Sequence, residues 1–314
     1  MKQIIRRLIA LVLTLLLISF LIFVIFQIIP GDGAVSRLGT NATPEQVAAL
    51  RKQLHLDDPF FKRYFNWLFG LLRGDFGDSY KYDRSVAELI GGKLKVTFFL
   101  AMESFLLIVL ISLPVGIFLG RTAKKPIGAA LHVTTQVFMA VPSFFTGILI
   151  ILIFGLGLKL FVPYYFVRPE NSFIGFLGCM VPGAFAIAIP KISMVSRFLR
   201  TNVLEESRKD YVRTAYSKGA GEKRVFYHHI LKNAILPVIT ILGMTIAEIM
   251  AGSIVVEQVF GLPGLGQLLI SSINTRDFPV VSVIILYMAF VVIVMNTIVD
   301  ILYQCIDPRI TMED

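Results

Sequence analysis

Three ionisable residues interrupt runs that are otherwise long and apolar: Glu103, Lys191 and Glu248. A full charge at the centre of a membrane helix costs about 3 kcal/mol on insertion scales, so such residues face a bundle interior or a wet cavity. The chemistry open to them is electrostatic. They can line a water-filled path, snorkel to an interface, or pair with a partner subunit. With helices drawn at 179–199 and 234–256, Lys191 falls somewhat below the middle of its span and Glu248 somewhat above the middle of its own, a difference in depth of roughly 8 Å at about 1.5 Å per residue. A direct ion pair between them is therefore not expected. Covalent chemistry finds no support. The chain contains no G-x-x-x-x-G-K-[ST], no H-E-x-x-H, no G-x-S-x-G and no paired-Cys motif. Its four histidines show no metal-ligand spacing. The two cysteines, Cys179 and Cys305, fall at ends of different apolar runs and are expected on opposite membrane faces. The chain reads as neither an enzyme nor a holder of a cofactor or metal.

A second group of residues lies in the longest polar segment of the chain's second half, 197–237, with nine Lys/Arg and four Asp/Glu. Residues 205–218 are expected to form a short helix. Gly219 and Gly221 end it, since Gly costs about 1 kcal/mol relative to Ala inside a helix. Within it, Tyr211, Val212 and Ala215 share one face at spacings of three and four, and Arg213 and Lys218 stand at the rim. A short helix with a defined end offers a partner a shape to grip. The plainer reading is a solvated basic loop.

These residues need elements to carry them. Of 314 residues 56% are hydrophobic and 16% charged, against about 25% charged in soluble domains. Long uncharged runs make this an integral membrane protein. The expected fold is all-α and polytopic, with six transmembrane helices at 8–29, 96–120, 132–154, 179–199, 234–256 and 280–305. Pro114, Pro142, Pro182 and Pro190 fall inside them, which membrane helices tolerate. Ala247, Ala251, Gly252 and Ser253 suit close helix contacts.

The domain plan is an N-terminal tip and first helix (1–30), an extracytoplasmic region (31–95), a helical membrane domain (96–305) holding the polar loop 200–233, and a tail (306–314). In the second part, Thr43-Pro44-Glu45-Gln46 reads as a helix start leading to about Leu54. The aromatic stretch 64–72, with Trp67, suits either a membrane interface or the core of a small extracytoplasmic subdomain. Sixteen basic residues fall in the parts assigned to the cytoplasm and three in the two short external loops. The positive-inside rule then places both termini in the cytoplasm. Because the charges sit in loops between spans, the net charge of +9 does not indicate nucleic acid.

The run Asp210-Tyr211-Val212-Arg213-Thr214-Ala215-Tyr216-Ser217-Lys218-Gly219 resembles the coupling loop, or EAA loop, of ABC importer permeases. It is most similar to the oligopeptide/dipeptide/nickel branch. The general pattern has Glu-Ala-Ala with Gly four residues after the last Ala. Counting back from Gly219, those positions hold Arg213, Thr214 and Ala215, and the closing Leu-Pro is Leu236-Pro237. The region from Leu54 to Pro59, the run from Gly74 to Ser79, Phe260-Gly261-Leu262-Pro263-Gly264-Leu265-Gly266 and Asp307-Pro308-Arg309 extend the resemblance along the chain. It implies an ABC importer type I transmembrane domain in a bacterial or archaeal cytoplasmic membrane. It also implies a second permease, forming a heterodimer, and an extracytoplasmic solute-binding protein. Two ATP-binding cassette subunits would carry the ATP and Mg. Tyr211, Val212, Arg213, Ala215, Lys218 and Gly219 would couple to them. Lys191, Glu248 and Glu103 would line the path and meet the charged ends of a short peptide. Nickel chelates, glutathione or another small solute are the alternatives, and a secondary transporter ranks below them.

Overall fold

The structure, a computed structural model, describes residues 2–28, 33–38, 42–53 and 56–306. The tail with Asp307-Pro308-Arg309 and the side chain of Cys305 lie outside the described residues. Regular structure among the described residues is helical. The chain divides into two compact units, Met1–Thr97 with Pro263–Val294, and Phe98–Leu262 with Met295–Asp314.

The first unit begins with α1 (Lys2–Ile28), α2 (Gly33–Leu38), α3 (Pro44–Gln53) and α4 (Phe60–Leu72). The expected start of α3 is present as a capping box. Gln46 N donates to Thr43 Oγ1 and Thr43 N donates to Gln46 Oε1, at 3.3 and 3.0 Å. Phe20 and Phe23 of α1 meet Phe60 and Tyr64 of α4 edge-on, with ring centroids 5.3–6.1 Å apart. Tyr64 is buried, and its hydroxyl lies 3.0 Å from Ser19 Oγ. The aromatic α4 therefore packs on the first membrane helix while Phe61, Phe65 and Phe69 face outward. The same unit holds the start of α5 (Val86–Arg121), α13 (Leu265–Asn274) and most of α14 (Phe278–Ile306). Asp277, fully buried, accepts from Ser79 Oγ and from the backbone N–H groups of Tyr80 and Lys81. This carboxylate pins the loop before α5, because a buried charge is tolerated only with hydrogen bonds around it.

The second unit continues α5 and adds α6 (Pro126–Ala140), α7 (Ser143–Ile150), a π-helical segment (Ile151–Gly157) and α8 (Phe173–Glu206). There follow α9 (Asp210–Ser217), α10 (Glu222–Arg224), a second π-helical segment (Val225–Ile230), α11 (Leu231–Ala234) and α12 (Leu236–Phe260). Small residues set the registers between the long helices. Ser196 Oγ of α8 donates to the carbonyl of Ser112 on α5 at 3.0 Å. A Cβ at Gly116 would lie 2.8 Å from Leu199, and one at Gly120 would lie 2.7 Å from Val203. Positions on the two helices rise together, so α5 and α8 are parallel. Between α8 and the run of α11 into α12 the order reverses. A Cβ at Gly183 would meet Val256 at 3.5 Å, and Asn202 Nδ2 reaches the carbonyl of Ala234 at 3.4 Å.

Among the described residues, five helices are long and apolar enough to cross a membrane, and the pair Pro126–Ala140 and Ser143–Gly157 qualifies jointly although bent by 103°. The parallel α5 and α8 decide how to count that pair. Two spans that run the same way need one return crossing between them, so the bent pair is a single broken span and the described residues hold six spans. The expected continuous third helix is corrected accordingly. Pro142 stops α6, because a residue before proline is pushed out of the helical region, and Val141 is extended at ψ 123°. Two other expectations also change. α5 starts ten residues earlier than drawn from hydropathy, and α8 runs on to Glu206.

Candidate functional site

The expected helix at 205–218 is two elements. α8 ends at Glu206, and the separate α9 covers Asp210–Ser217. The end of α9 is a Schellman motif. Gly219 N donates to Tyr216 O at 2.9 Å and Ala220 N to Ala215 O at 3.2 Å, with Gly219 at φ +80°. Only Gly adopts that conformation without cost, so Gly219 terminates the helix.

The expected contact face of Tyr211, Val212 and Ala215 is turned differently. Val212 is buried in its own chain, and Tyr211 and Ala215 are half-buried. The Tyr211 hydroxyl lies 2.6 Å from Glu206 Oε2 and 3.3 Å from the His229 carbonyl, and it accepts from Asn233 Nδ2 at 3.1 Å. Burial, and then the hydrogen bond that the hydroxyl donates to the Glu206 carboxylate, raise the Tyr211 pKa above its ordinary value. Lys209 Nζ closes on the other Glu206 oxygen at 2.5 Å. The outward residues of α9 are Asp210, Arg213, Thr214, Tyr216 and Ser217, followed by Lys218. An amphipathic eight-residue helix has its apolar stripe on one side only, and here that stripe is used inward.

At the second π-helical segment, the guanidinium of Arg121 at the end of α5 lies 5.4 and 5.8 Å from the rings of Phe226 and Tyr227, and its Nη1 donates to Tyr227 Oη at 3.3 Å. The ends of α5 and α8 and the segment entering α12 thus converge on one small helix and the adjacent π-helical segment. Sequence reasoning missed Glu206, Asn233 and Arg121. Arg121 and Tyr227 are 106 positions apart, and the five-residue step from Glu206 to Tyr211 crosses a helix break, so neither pair leaves a periodic signal.

Lys191 and Glu248 form an ion pair, which corrects the expectation that their depths keep them apart. That depth estimate aligned helices by the edges of their apolar runs. The observed register, fixed by Gly183 with Val256 and Asn202 with Ala234, sets Lys191 nearly level with Glu248. Glu248 remains about half exposed at 48% and Lys191 25%, so the pair opens on space outside the chain. Glu103 is not part of it. Both its carboxylate oxygens are buried without a hydrogen-bond partner among the described residues. No cluster of three His, Cys, Asp or Glu suited to a metal occurs among the described residues. The site can therefore bind and orient charge and present a docking surface.

The chain as a whole is similar to known proteins. The oligopeptide transport system permease protein AppB of Bacillus subtilis is 34% identical over 310 residues, covering 98% of each chain. The glutathione transport system permease protein GsiC of Salmonella choleraesuis is 34% identical over 313 residues and 99% of each chain. A crystal structure of an amino acid ABC transporter with histidines shares the fold at a TM-score of 0.51, with 20% identity, 71% of this chain and 95% of that chain. Residues 1–101 match the N-terminal part of a binding-protein-dependent transport system membrane component, and residues 112–312 match the binding-protein-dependent transport system inner membrane component family. The chain belongs to the family of binding-protein-dependent transport system inner membrane components.

Proposed function

We propose that the chain is a permease subunit of an ATP-driven importer that moves short peptides, with α9 seated on an ATP-hydrolysing partner. The observation that carries this reading is α9 itself. It is capped at Gly219 and tied inward through Tyr211 and Val212, and it turns Arg213, Tyr216 and Lys218 outward. A connecting loop has no need of such a helix, whereas a coupling element must be both exposed and fixed to the spans it moves. Tyr211 and Val212 hold the helix, and Arg213, Ala215, Lys218 and Gly219 meet the partner at its rim and end. Rim charges of this kind govern partner choice more than affinity.

The remaining machinery follows from that reading: a second permease, two ATP-binding cassette subunits that carry ATP and Mg, and an extracytoplasmic solute-binding protein. Both termini lie in the cytoplasm, on the charge bias of the loops, and residues 31–95 lie outside. Lys191, Glu248 and Glu103 line the path shared with the second permease. GsiC is a relative of equal identity, so glutathione, itself a tripeptide, is the second substrate to test.

Ala215→Asp and Gly219→Asp are expected to abolish uptake and ATPase stimulation while the chain still inserts. On an unengaged surface the Ala215→Asp change costs under about 0.5 kcal/mol. Normal co-purification of the ATPase subunits with Ala215→Asp, together with normal uptake, would refute the docking role. Competition of a labelled tripeptide against glutathione in proteoliposomes separates the two substrates.

A further inference from the structure

The first unit contains a polar cavity and an apolar groove that run along the same helices. The cavity, of about 740 Å³, lies between the end of α1 at Phe26, the start of α14 at Phe278, and Trp67 and Arg63 of α4. Asp75 and Asp78 line it as well. The groove, of about 570 Å³, is lined by Val12 and Leu16 of α1, Leu72 of α4, and Leu286 and Phe290 of α14. Phe76 borders both. The groove residues of α1 and α14 lie inside their membrane spans, Ile9–Ile28 and Phe278–Val299, and the cavity lies where those spans end. A charged cavity at the membrane boundary thus continues into an apolar channel at acyl-chain depth.

The charges in the cavity are not all spent on one another. Arg37 pairs with Asp83, and Arg51 with Asp57 at 3.3 Å. Arg63 lies over the Phe23 ring at 5.9 Å and has no ion-pair partner among the described residues. A guanidinium with free donors suits a phosphate, which it binds in a fixed fork. Asp75 and Asp78 are exposed on the same cavity and suit an ammonium group. The apolar groove suits an acyl chain and gives nothing to a hydrophilic solute.

We infer that this cavity and groove together hold one zwitterionic phospholipid, its phosphate at Arg63, its ammonium at Asp75 and Asp78, and an acyl chain along Leu16, Leu72 and Phe290. The charge layout selects an ethanolamine headgroup over a glycerol headgroup, which lacks the cation.

The test is native mass spectrometry of the full chain, purified in detergent, stripped of lipid and offered equal amounts of phosphatidylethanolamine and phosphatidylglycerol. One retained phosphatidylethanolamine in excess over phosphatidylglycerol is expected. Arg63→Gln should lower its retention roughly five-fold, the value of one basic residue at a lipid surface, and Arg63→Lys should recover most of it. Asp75→Asn with Asp78→Asn should erase the preference for ethanolamine. Circular dichroism checks that each variant keeps its helix content. Unchanged retention in a folded Arg63→Gln chain would overturn the inference. So would equal competition by glycerophosphoethanolamine, which has no acyl chains, or displacement of the lipid by an equimolar tripeptide.

Discussion

Lys191 and Glu248 neutralise each other within the membrane, so each single loss strands a charge. Lys191→Met or Glu248→Gln is expected to lower the stability of the detergent-purified chain by about 1 kcal/mol, the modest scale of partly wet pairs. The double variant Lys191→Met/Glu248→Met should regain most of that loss in a thermal melt while transport stays impaired. Full recovery of transport would show that the pair is only structural. Glu103 makes the opposite case. A buried carboxylate without a partner is a cost, so Glu103→Leu should raise the melting temperature of the isolated chain. Uptake by the assembled transporter should fall if that cost is kept for solute binding, as strained functional groups often are. At Tyr211 the sign of the pH effect follows from its raised pKa. The phenol is held protonated, so its contribution is complete below its ordinary value of 10.0. It is lost as pH rises through the higher folded value. ATPase stimulation should show no Tyr211-dependent step between about pH 6 and 9, and Tyr211→Phe should weaken stimulation uniformly across that range.

Between elements, Gly116 and Gly120 allow α5 to lie against α8. Enlarging either forces the helices apart, because a Cβ there already falls within 2.8 Å of Leu199 or Val203. Gly120→Leu should cost about 1–3 kcal/mol, as overpacking does, and should reduce the yield of folded chain, measured by size-exclusion chromatography. Gly92→Leu, where nothing lies within 4 Å of a Cβ, is the control and should give a wild-type yield of folded chain. What the sequence makes legible follows the same division. The Thr43–Gln46 capping box, the six apolar runs and the break at Gly219 are local, set by residues three or four positions apart or by one residue's backbone freedom. The Lys191–Glu248 pair is not local, since contacts of Gly183 and Asn202 with a distant helix decide which residues are level. The inward turn of Val212 is equally hidden, because a short amphipathic stripe does not say which neighbour it faces. Pro142 marks where the third span breaks but carries no information about a 103° bend.

For the whole molecule, topology is the first thing to check. In a chain whose Cys179 and Cys305 are replaced by Ala, a cysteine at Asp57 should react with an impermeant maleimide added outside intact cells, and one at Lys218 should not. The reverse pattern would overturn the orientation. The continuous α8 joins the α9 end of the chain to the Lys191–Glu248 pair. From Glu206, where Tyr211 is tied, to Lys191, beside Pro190, is 15 residues of helix, or about 22 Å. A swing of about 10° at the α9 end therefore carries Lys191 sideways by about 4 Å at that helix rise. That is as long as an ion pair is wide. If α9 couples as proposed, α8 would act as a lever with a switch at its far end: a displacement that barely disturbs its fulcrum at Glu206 would be enough to open or close the Lys191–Glu248 contact.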